Sequence, residues 1–486
     1  MDLLDLPPEV LDEIIAQTLP FGLESFALSC KTVWQRAASA IKRHNELKAQ
    51  WKHAVIHPAG TLSALFEILH DPLAAHYIEH LDVWDAWSGR DLEARRDTDI
   101  SESMLESLQD MVTRSQILAQ VGVDVNLGWE KTKKDESDEP SVLSATLLFL
   151  SLPNLRSLRL SPTWSHINLA RAENPRDRGI LAMLENIVRA AGSQNDQYPL
   201  SKLETLLPFR REGYEERTPL QSLNSFMVLK NMKNLYAVSC VAVDDGYTGL
   251  PFKWQYSISS PLTRIELASC CMDADGISAL VSHTPQLRVF RYSHQTKWHG
   301  CQYDWNAGTF IEAVYAHCGN TIIDLAVTID TLYGEIENGA SSLLGFPHLE
   351  YLEVDVLVFC GPPVESGQTQ GLSSVLPDGV KPWTKDDIPC IGSMLPTSIR
   401  EVQINTDFPE PDEAGLKALL KDFRQQRAQR LTGLRKAVLR QPDTDGARSV
   451  ADFAGADLEV FSTDGSSRML MPAWKREFDR KVGGIV

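Results

Sequence analysis

Two short stretches hold the side chains best suited to binding a metal ion. His294, His299 and Cys301 lie in the segment SHQTKWHGC, and His317 and Cys318 follow after a predicted helix. Imidazole and thiolate groups are common zinc ligands, but structural sites usually carry them in pairs at short, fixed spacings. The spacing here matches no such pair. We therefore interpret these residues as packing or loop hydrogen-bonding groups and predict neither a metal site nor a cofactor.

The sequence also lacks the usual catalytic signatures. It contains none of the motifs G-x-x-x-x-G-K-[ST], G-x-G-x-x-G, G-x-S-x-G or H-E-x-x-H. Cys270 and Cys271 are adjacent, but they stand at the end of a predicted strand, where small buried thiols are the usual finding. We predict no catalytic residue and no enzymatic activity. An enzyme on an unrecognised fold stays open as a further hypothesis, and it would require a deep pocket with converging ionisable groups.

Composition narrows the classes of partner. Of 486 residues 43% are hydrophobic, enough for several cores or one elongated array, and 47 basic against 65 acidic residues give a net charge of −18. That charge would repel phosphate backbones, so we predict no nucleic-acid partner. No apolar stretch approaches the ~20 residues that cross a bilayer, so we predict no membrane association. Eight scattered cysteines favour reduced thiols in the cytoplasm or nucleus.

The amino-terminal residues predict a small helical module. Prolines at the opening turn and a following glutamate indicate a helix from about Pro8 to Thr18. Its apolar stripe consists of Val10, Leu11, Ile14 and Ile15, and shorter helical stripes follow. Because about 40 residues in three short helices bury only a marginal core, we expect a partner protein to cover part of their apolar surface.

These residues resemble the F-box. Leu6, Pro7 and Glu9 match its opening L-P-x-E, and later positions match at Ile14, Ile15, Leu23, Phe26, Leu28, Lys31 and Trp34. The tryptophan stands one position later than is usual in that family. The resemblance implies docking to a Skp-type adaptor, which connects to cullin and RING subunits, through contacts at Leu6, Pro7, Glu9, Ile14, Ile15, Leu23 and Leu28. For any single one of these positions, burial in the module's own core is an equally good interpretation.

A spaced apolar pattern recurs beyond about residue 47. Clear copies are Leu152, Leu155, Leu158, Leu160 and Phe346, Leu349, Leu352, Val354. Such spacing is typical of a short buried strand, and helices are predicted between the copies at 178–190, 275–282, 309–318 and 412–430. Repeated strand–helix units stack into a curved parallel sheet. The unit from Leu262 to Leu287 resembles a cysteine-containing leucine-rich repeat, with Cys270 after the strand.

The resulting prediction is an α/β protein with a short three-helix F-box at 1–45. An irregular solenoid resembling leucine-rich repeats follows at 46–470, with long loops near 124–140 and 361–393, and residues 471–486 are predicted to be a tail. Side chains alternate along a strand, so the residues between the buried apolar ones should be exposed on one face. The members of that row that we predict to contact a protein substrate are Arg159, Glu266, Arg291, Tyr351, Glu353 and Gln403.

The leading functional hypothesis is a substrate-recognition subunit of a Skp–cullin–F-box ubiquitin ligase. The N-terminal helices would dock the adaptor and the repeat domain would hold an unknown protein target. The alternative is a non-catalytic repeat scaffold that binds partners without delivering them for ubiquitination. A change in a target protein's half-life on deletion of this chain would separate the two.

Overall fold

A computed structural model describes ten stretches of the chain. They are residues 6–83, 142–166, 175–191, 198–302, 304–334, 336–359, 388–406, 413–442, 445–461 and 471–483, together with a few single positions between 103 and 113. The loop predicted near 124–140 and residues 361–387 of the second predicted loop lie outside these stretches. The fold is mixed α/β, and the chain divides into one unit of residues 1–206 with 229–231 and another of 207–228 with 232–486.

The first unit opens with four helices: α1 (Pro8–Gln17), α2 (Leu23–Ala27), α3 (Lys31–Arg36) and α4 (Ala38–Trp51). The predicted module has three helices and ends at residue 45, but that position lies inside α4. No proline or glycine interrupts residues 31–51, so the backbone continues as helix through the expected boundary.

The remainder of the first unit alternates strands with helices. Its elements are β1 (His53–Ile56), α5 (Thr61–His70), α6 (Pro72–Ala75), β2 (His80–Val83), α7 (Val142–Leu150), β3 (Ser157–Arg159) and α8 (Pro175–Ala191). The strand β4 (Thr205–Leu207) begins in this unit and ends one residue past it. Strands β1, β2 and β3 are parallel neighbours, with His53 opposite His80 and His80 opposite Ser157. The predicted helix at 178–190 is thus α8, which begins three residues earlier.

The second unit continues this pattern. Its strands are β5 (Thr218–Pro219), β6 (Asn234–Val238), β7 (Cys240–Ala242), β8 (Arg264–Met272), β9 (Val289–Gln295), β10 (Asp324–Thr331), β11 (Tyr351–Asp355), β12 (Glu401–Asn405), β13 (Lys436–Pro442) and β14 (Asp457–Phe461). Its helices are α9 (Asn224–Met227), α10 (Ala274–Val281), α11 (Ala307–Cys318), α12 (Ile391–Met394), α13 (Glu413–Leu419), α14 (Phe423–Gln429), α15 (Asp445–Ala454) and α16 (Ala473–Val482).

The predicted parallel sheet is confirmed. Strands β6, β8, β9, β10, β11, β12, β13 and β14 are neighbours in that order. Equivalent positions of the apolar pattern lie opposite one another, as Ile265 faces Phe290 and Phe290 faces Leu325, and all three are buried. Each apolar row therefore forms a layer of core between the sheet and its returning helices.

Three local features of the second unit differ from the prediction. The helix expected at 412–430 is split into α13 and α14 because Asp422 adopts a left-handed backbone with φ 56°, a conformation that Asp tolerates better than most residues. The predicted loop 361–393 ends in α12. The predicted tail contains α16, whose Trp474, Phe478 and Val482 are buried and recur at the spacing of one helix face.

Candidate functional site

The N-terminal module has its own sealed core. Leu11 and Ile15 of α1 pack with Leu23 and Ala27 of α2 and with Ala37. Ile15 is 3% exposed and Leu23 is 0% exposed. These two predicted adaptor contacts are therefore core residues of the module and do not reach its surface, because they pack together between α1 and α2.

Polar contacts join helices of the module that are not adjacent in sequence. Arg36 of α3 donates from Nε and Nη2 to the Asp12 carboxylate of α1, at 3.0 and 2.9 Å, and from Nη2 to the Pro8 carbonyl oxygen at 3.3 Å. The hydrogen bond from Arg36 lowers the pKa of Asp12. Lys48 of α4 contacts Glu24 of α2 at 2.9 Å. These contacts hold the short helices in one arrangement.

An apolar surface remains outside this core. Its large members are Val10 (43% exposed), Phe21 (66%), Leu28 (74%) and Trp34 (49%), and we call them the exposed apolar set. Of the predicted adaptor contacts, Leu28 belongs to this set, Pro7 and Glu9 are exposed, and Leu6 and Ile14 are half-buried. Large apolar side chains that stay exposed on a small module are candidate anchors for a protein-binding surface.

The row predicted to contact a substrate is only partly exposed. Arg159, Glu266 and Glu353 are 5%, 0% and 7% exposed, so the expectation that they face solvent is wrong. Arg159 in the first unit pairs with Asp82 on the neighbouring strand, at 3.3 Å. Arg291 and Gln403 are half-buried, and Tyr351 is exposed.

In the second unit, α16 covers much of this row. Glu353 of β11 accepts hydrogen bonds from the backbone N–H groups of Ala473, at 2.7 Å, and Trp474, at 2.9 Å. These are among the N–H groups that a helix cannot satisfy internally at its first turn. Arg440, which is fully buried, donates to the same carboxylate at 2.9 Å. Glu353 therefore anchors the start of α16 to the sheet.

Ion pairs continue along the helix. Lys475 contacts Asp330 of β10 at 2.8 Å, and Glu477 contacts Arg291 of β9 at 2.7 Å. Further along, Lys481 reaches Glu266 of β8 at 3.4 Å. Residues further along α16 thus meet successive strands, from β11 to β8.

Aromatic side chains fill the space beneath α16. The Trp474 indole donates to the Thr328 hydroxyl at 3.1 Å, and the Phe478 ring lies 5.9 Å from the ring of Tyr236 in β6. Trp474 and Phe478 are both buried. A helix of 10 residues is ~15 Å long, and the five strands from β6 to β11 span ~19 Å, so side chains at its two ends reach both outer strands.

Lys475 and Glu477 of α16 stay ionised at neutral pH. Burial by itself disfavours the Lys475 ammonium, but the attraction of Asp330 and Glu212 outweighs burial and raises the pKa of Lys475. Burial likewise opposes ionisation of Glu477, while hydrogen bonds from Arg291 and Lys481 lower the pKa of Glu477 to about 2. The interface between α16 and the strands is therefore charged and electrostatically complementary.

A hydroxyl–amine pair lies in the interior of the second unit. Lys297 Nζ donates to Ser239 Oγ at 3.0 Å and to the Gly213 carbonyl oxygen at 2.7 Å. Burial lowers the pKa of Lys297. Both side chains are 0% exposed, so in this conformation the pair does not meet a solute, and we interpret it as a packing contact.

Two of the groups considered as zinc ligands, His294 and Cys318, are buried and used in packing. His294 is buried, with Nδ1 2.9 Å from the Tyr292 hydroxyl and its ring stacked on Trp305 at 4.3 Å. Cys318 donates to the Val281 carbonyl oxygen at 3.3 Å. Within the stretches that the model describes, no group of three or more His, Cys, Asp or Glu side chains could hold a metal ion.

Comparison with known proteins adds no family assignment. No protein-family model matches the chain, and no curated protein shows significant sequence similarity to it. Among the described helices, none combines the length and apolar content needed to span a bilayer.

Proposed function

We propose that this protein is the substrate-recognition subunit of a Skp–cullin–F-box ubiquitin ligase in the cytoplasm or nucleus. In this proposal the exposed apolar set docks a Skp-type adaptor, and the strand-rich region, arranged as a leucine-rich-repeat-like solenoid, holds the target protein. The chain would act without making or breaking bonds. It would raise the local concentration of the target near the ubiquitin-charged enzyme, which accelerates transfer by proximity.

The observation that carries the proposal is a sealed helical core with large apolar side chains left outside it. Leu28 and Trp34 are 74% and 49% exposed, although buried residues on the same helices already complete the core. Burying such anchors against another protein contributes most of the affinity in helical interfaces. The opening L-P-x-E residues lie at the start of α1, where Pro7 and Glu9 are exposed.

Co-purification with a recombinant Skp-type adaptor tests the docking step. Leu28→Asp places a charge in the exposed apolar set, and Ser25→Asp places the same charge on an exposed position of α2. Loss of a central anchor typically costs about 2 kcal/mol or more, so Leu28→Asp should weaken adaptor binding roughly 30-fold or more while Ser25→Asp leaves it unchanged. Ile15→Asp is unsuitable, because it would disrupt the core.

Full adaptor recovery with Leu28→Asp, or no recovery with the unaltered chain, would refute the docking proposal. Circular dichroism of both variants shows whether the module stays folded. If the helical signal of the two variants is equal, a difference in adaptor recovery is due to the changed surface residue and not to unfolding.

A second candidate function is a repeat scaffold that binds partners without delivering them for ubiquitination. The coverage of Glu266, Arg291 and Glu353 by α16 favours it, since these residues were expected to hold the target. Measuring the half-lives of proteins that bind this chain, with and without it, distinguishes the two functions. Unchanged half-lives together with retained adaptor binding would favour the scaffold.

A further inference from the structure

We infer that the face formed by β6, β8, β9, β10 and β11 is a groove for an amphipathic helix of the target protein, and that α16 is the resident occupant of this groove. The inference rests on the proposed function and specifies its substrate class. The groove contacts α16 at defined positions along the helix, and the residue types of α16 at those positions indicate which helices the groove can bind.

The contacts define the chemistry of that pattern. The Glu353 carboxylate accepts hydrogen bonds from two backbone N–H groups in the first turn of the helix, at 2.7 and 2.9 Å. Thr328 and Tyr236 meet two aromatic side chains spaced four residues apart, here Trp474 and Phe478. A target helix should therefore begin at the β11 end of the groove and carry an aromatic residue in each of its first two turns.

The groove also selects charge. Asp330 and Glu266 accept lysines in the first and last turns of α16, at 2.8 and 3.4 Å, while Arg291 takes one acidic residue between them, at 2.7 Å. Two carboxylates thus flank one guanidinium. A target helix should alternate base, acid, base in the same order, and a helix of opposite charge order would place like charges together.

The position of α16 in the chain explains why it would act as a competitor. Nine residues, Ser462–Leu470, join β14 to the segment that begins at Met471. A short connection gives a tethered segment an effective concentration on the order of millimolar. A free helix of equal intrinsic affinity must therefore reach about that concentration to replace α16 in the intact chain, and it binds far more tightly once α16 is weakened.

Fluorescence anisotropy with a labelled peptide of residues 471–483, MPAWKREFDRKVG, tests the groove on the full chain. The variant Trp474→Ala/Phe478→Ala weakens the resident helix without altering the groove, and Arg480→Ala changes an exposed position of the same helix. We expect half-saturation of the intact chain only at about millimolar peptide, and half-saturation of the double variant at a concentration at least about tenfold lower, because its tethered competitor is weakened. The Arg480→Ala variant should match the intact chain.

Peptide sequence provides the specificity control. Reversing the central charge, Glu477→Lys in the peptide, sets two cations together at Arg291 and should weaken binding to the double variant at least about tenfold. Equal binding of the reversed and unaltered peptides, or no binding of either to a folded double variant, would overturn the inference.

A measurement on the intact chain covers the case in which the double variant does not fold. Millimolar unlabelled peptide should speed hydrogen exchange of the backbone amides of α16, because displaced helix loses its protection. Unchanged exchange at saturating peptide would overturn the inference, as would a dimer of the intact chain that exchanges α16 between copies. Adaptor capture is independent of the groove, so a negative peptide result with normal capture leaves the proposed function standing.

Discussion

Glu353→Ala provides the most direct test of how α16 is held. In the unaltered chain both carboxylate oxygens of Glu353 accept backbone N–H groups from the first turn of α16. Removing the acceptor leaves those N–H groups without their partner in a buried setting. Losing a helix cap costs about 1 kcal/mol, and a hydrogen bond to a charged group contributes about 1.5–3 kcal/mol, so local opening of α16 should become easier by at least about 2 kcal/mol.

Hydrogen exchange measures this opening directly. A change of 2 kcal/mol corresponds to a factor of roughly 30, so the backbone amides of 473–482 should exchange roughly 30-fold faster or more in Glu353→Ala. Tyr351→Ala is the matched control, because Tyr351 lies two residues earlier on the same strand and is 40% exposed. We expect less than about a twofold change there, as for most exposed substitutions.

A further variant separates the hydrogen bonds from the charge. Glu353→Gln keeps one acceptor oxygen and should give an intermediate rate of exchange. Global unfolding is monitored in parallel with urea, because Glu353 also pairs with the buried Arg440 at 2.9 Å, and breaking such a pair costs about 3–5 kcal/mol. Exchange of α16 that is the same in Glu353→Ala and the unaltered chain would refute the idea that this carboxylate anchors the helix.

Three other outcomes follow from the structure. The pKa of Glu477 is lowered from its ordinary value of 4.5 to about 2 in the docked helix, so as the pH falls below 4.5 the undocked helix takes up a proton before the docked one does. The stability that Glu477 gives to docking is therefore complete above pH 4.5 and should be lost toward pH 2. Glu477→Gln should abolish this dependence of α16 hydrogen exchange on pH. Burial lowers the pKa of His294 to about 3, so between pH 6.5 and 3 only the unfolded chain binds a proton at this imidazole. The free energy of unfolding should therefore decrease more from pH 7 to pH 5 in the unaltered chain than in His294→Phe, as urea titrations at the two pH values would show. Phe310→Ala in α11, at a fully buried position, should cost about 3–5 kcal/mol of unfolding free energy, whereas Tyr315→Ala, exposed on the same helix, should cost far less. Equal slopes in the second comparison, or equal urea midpoints in the third, would contradict the reasoning.

The apolar spacing by itself predicted most strands of the second unit, namely β6 and β8 to β13. Positions such as Ile265, Phe290 and Leu325 recur with the same spacing in successive units, and in the structure they lie opposite one another in parallel register. This works because side-chain alternation on a strand is a local property of the backbone. The first helix, expected from about Pro8 to Thr18, is also close to the observed Pro8–Gln17.

Some strands gave too weak a local signal. The strand β1 (His53–Ile56) and the strand β14 (Asp457–Phe461) were not among the expected copies of the repeat. Both are short, with four and five residues. Their neighbours β2 and β13 pair with them along the full parallel register, and such pairing is visible only in three dimensions.

Tertiary structure alone decided what covers each surface. Ile15 and Leu28 both match the family resemblance, yet one is 3% exposed and the other 74%. The strand pattern correctly placed Glu266, Arg291 and Glu353 on one face, but it could not show that α16 lies across that face. Alternation along a strand reports which side a residue faces, whereas its exposure depends on segments distant in sequence, here by 120 residues between Glu353 and Ala473. The apolar period of Trp474, Phe478 and Val482 was the available sign that the carboxyl-terminal residues form a docked helix.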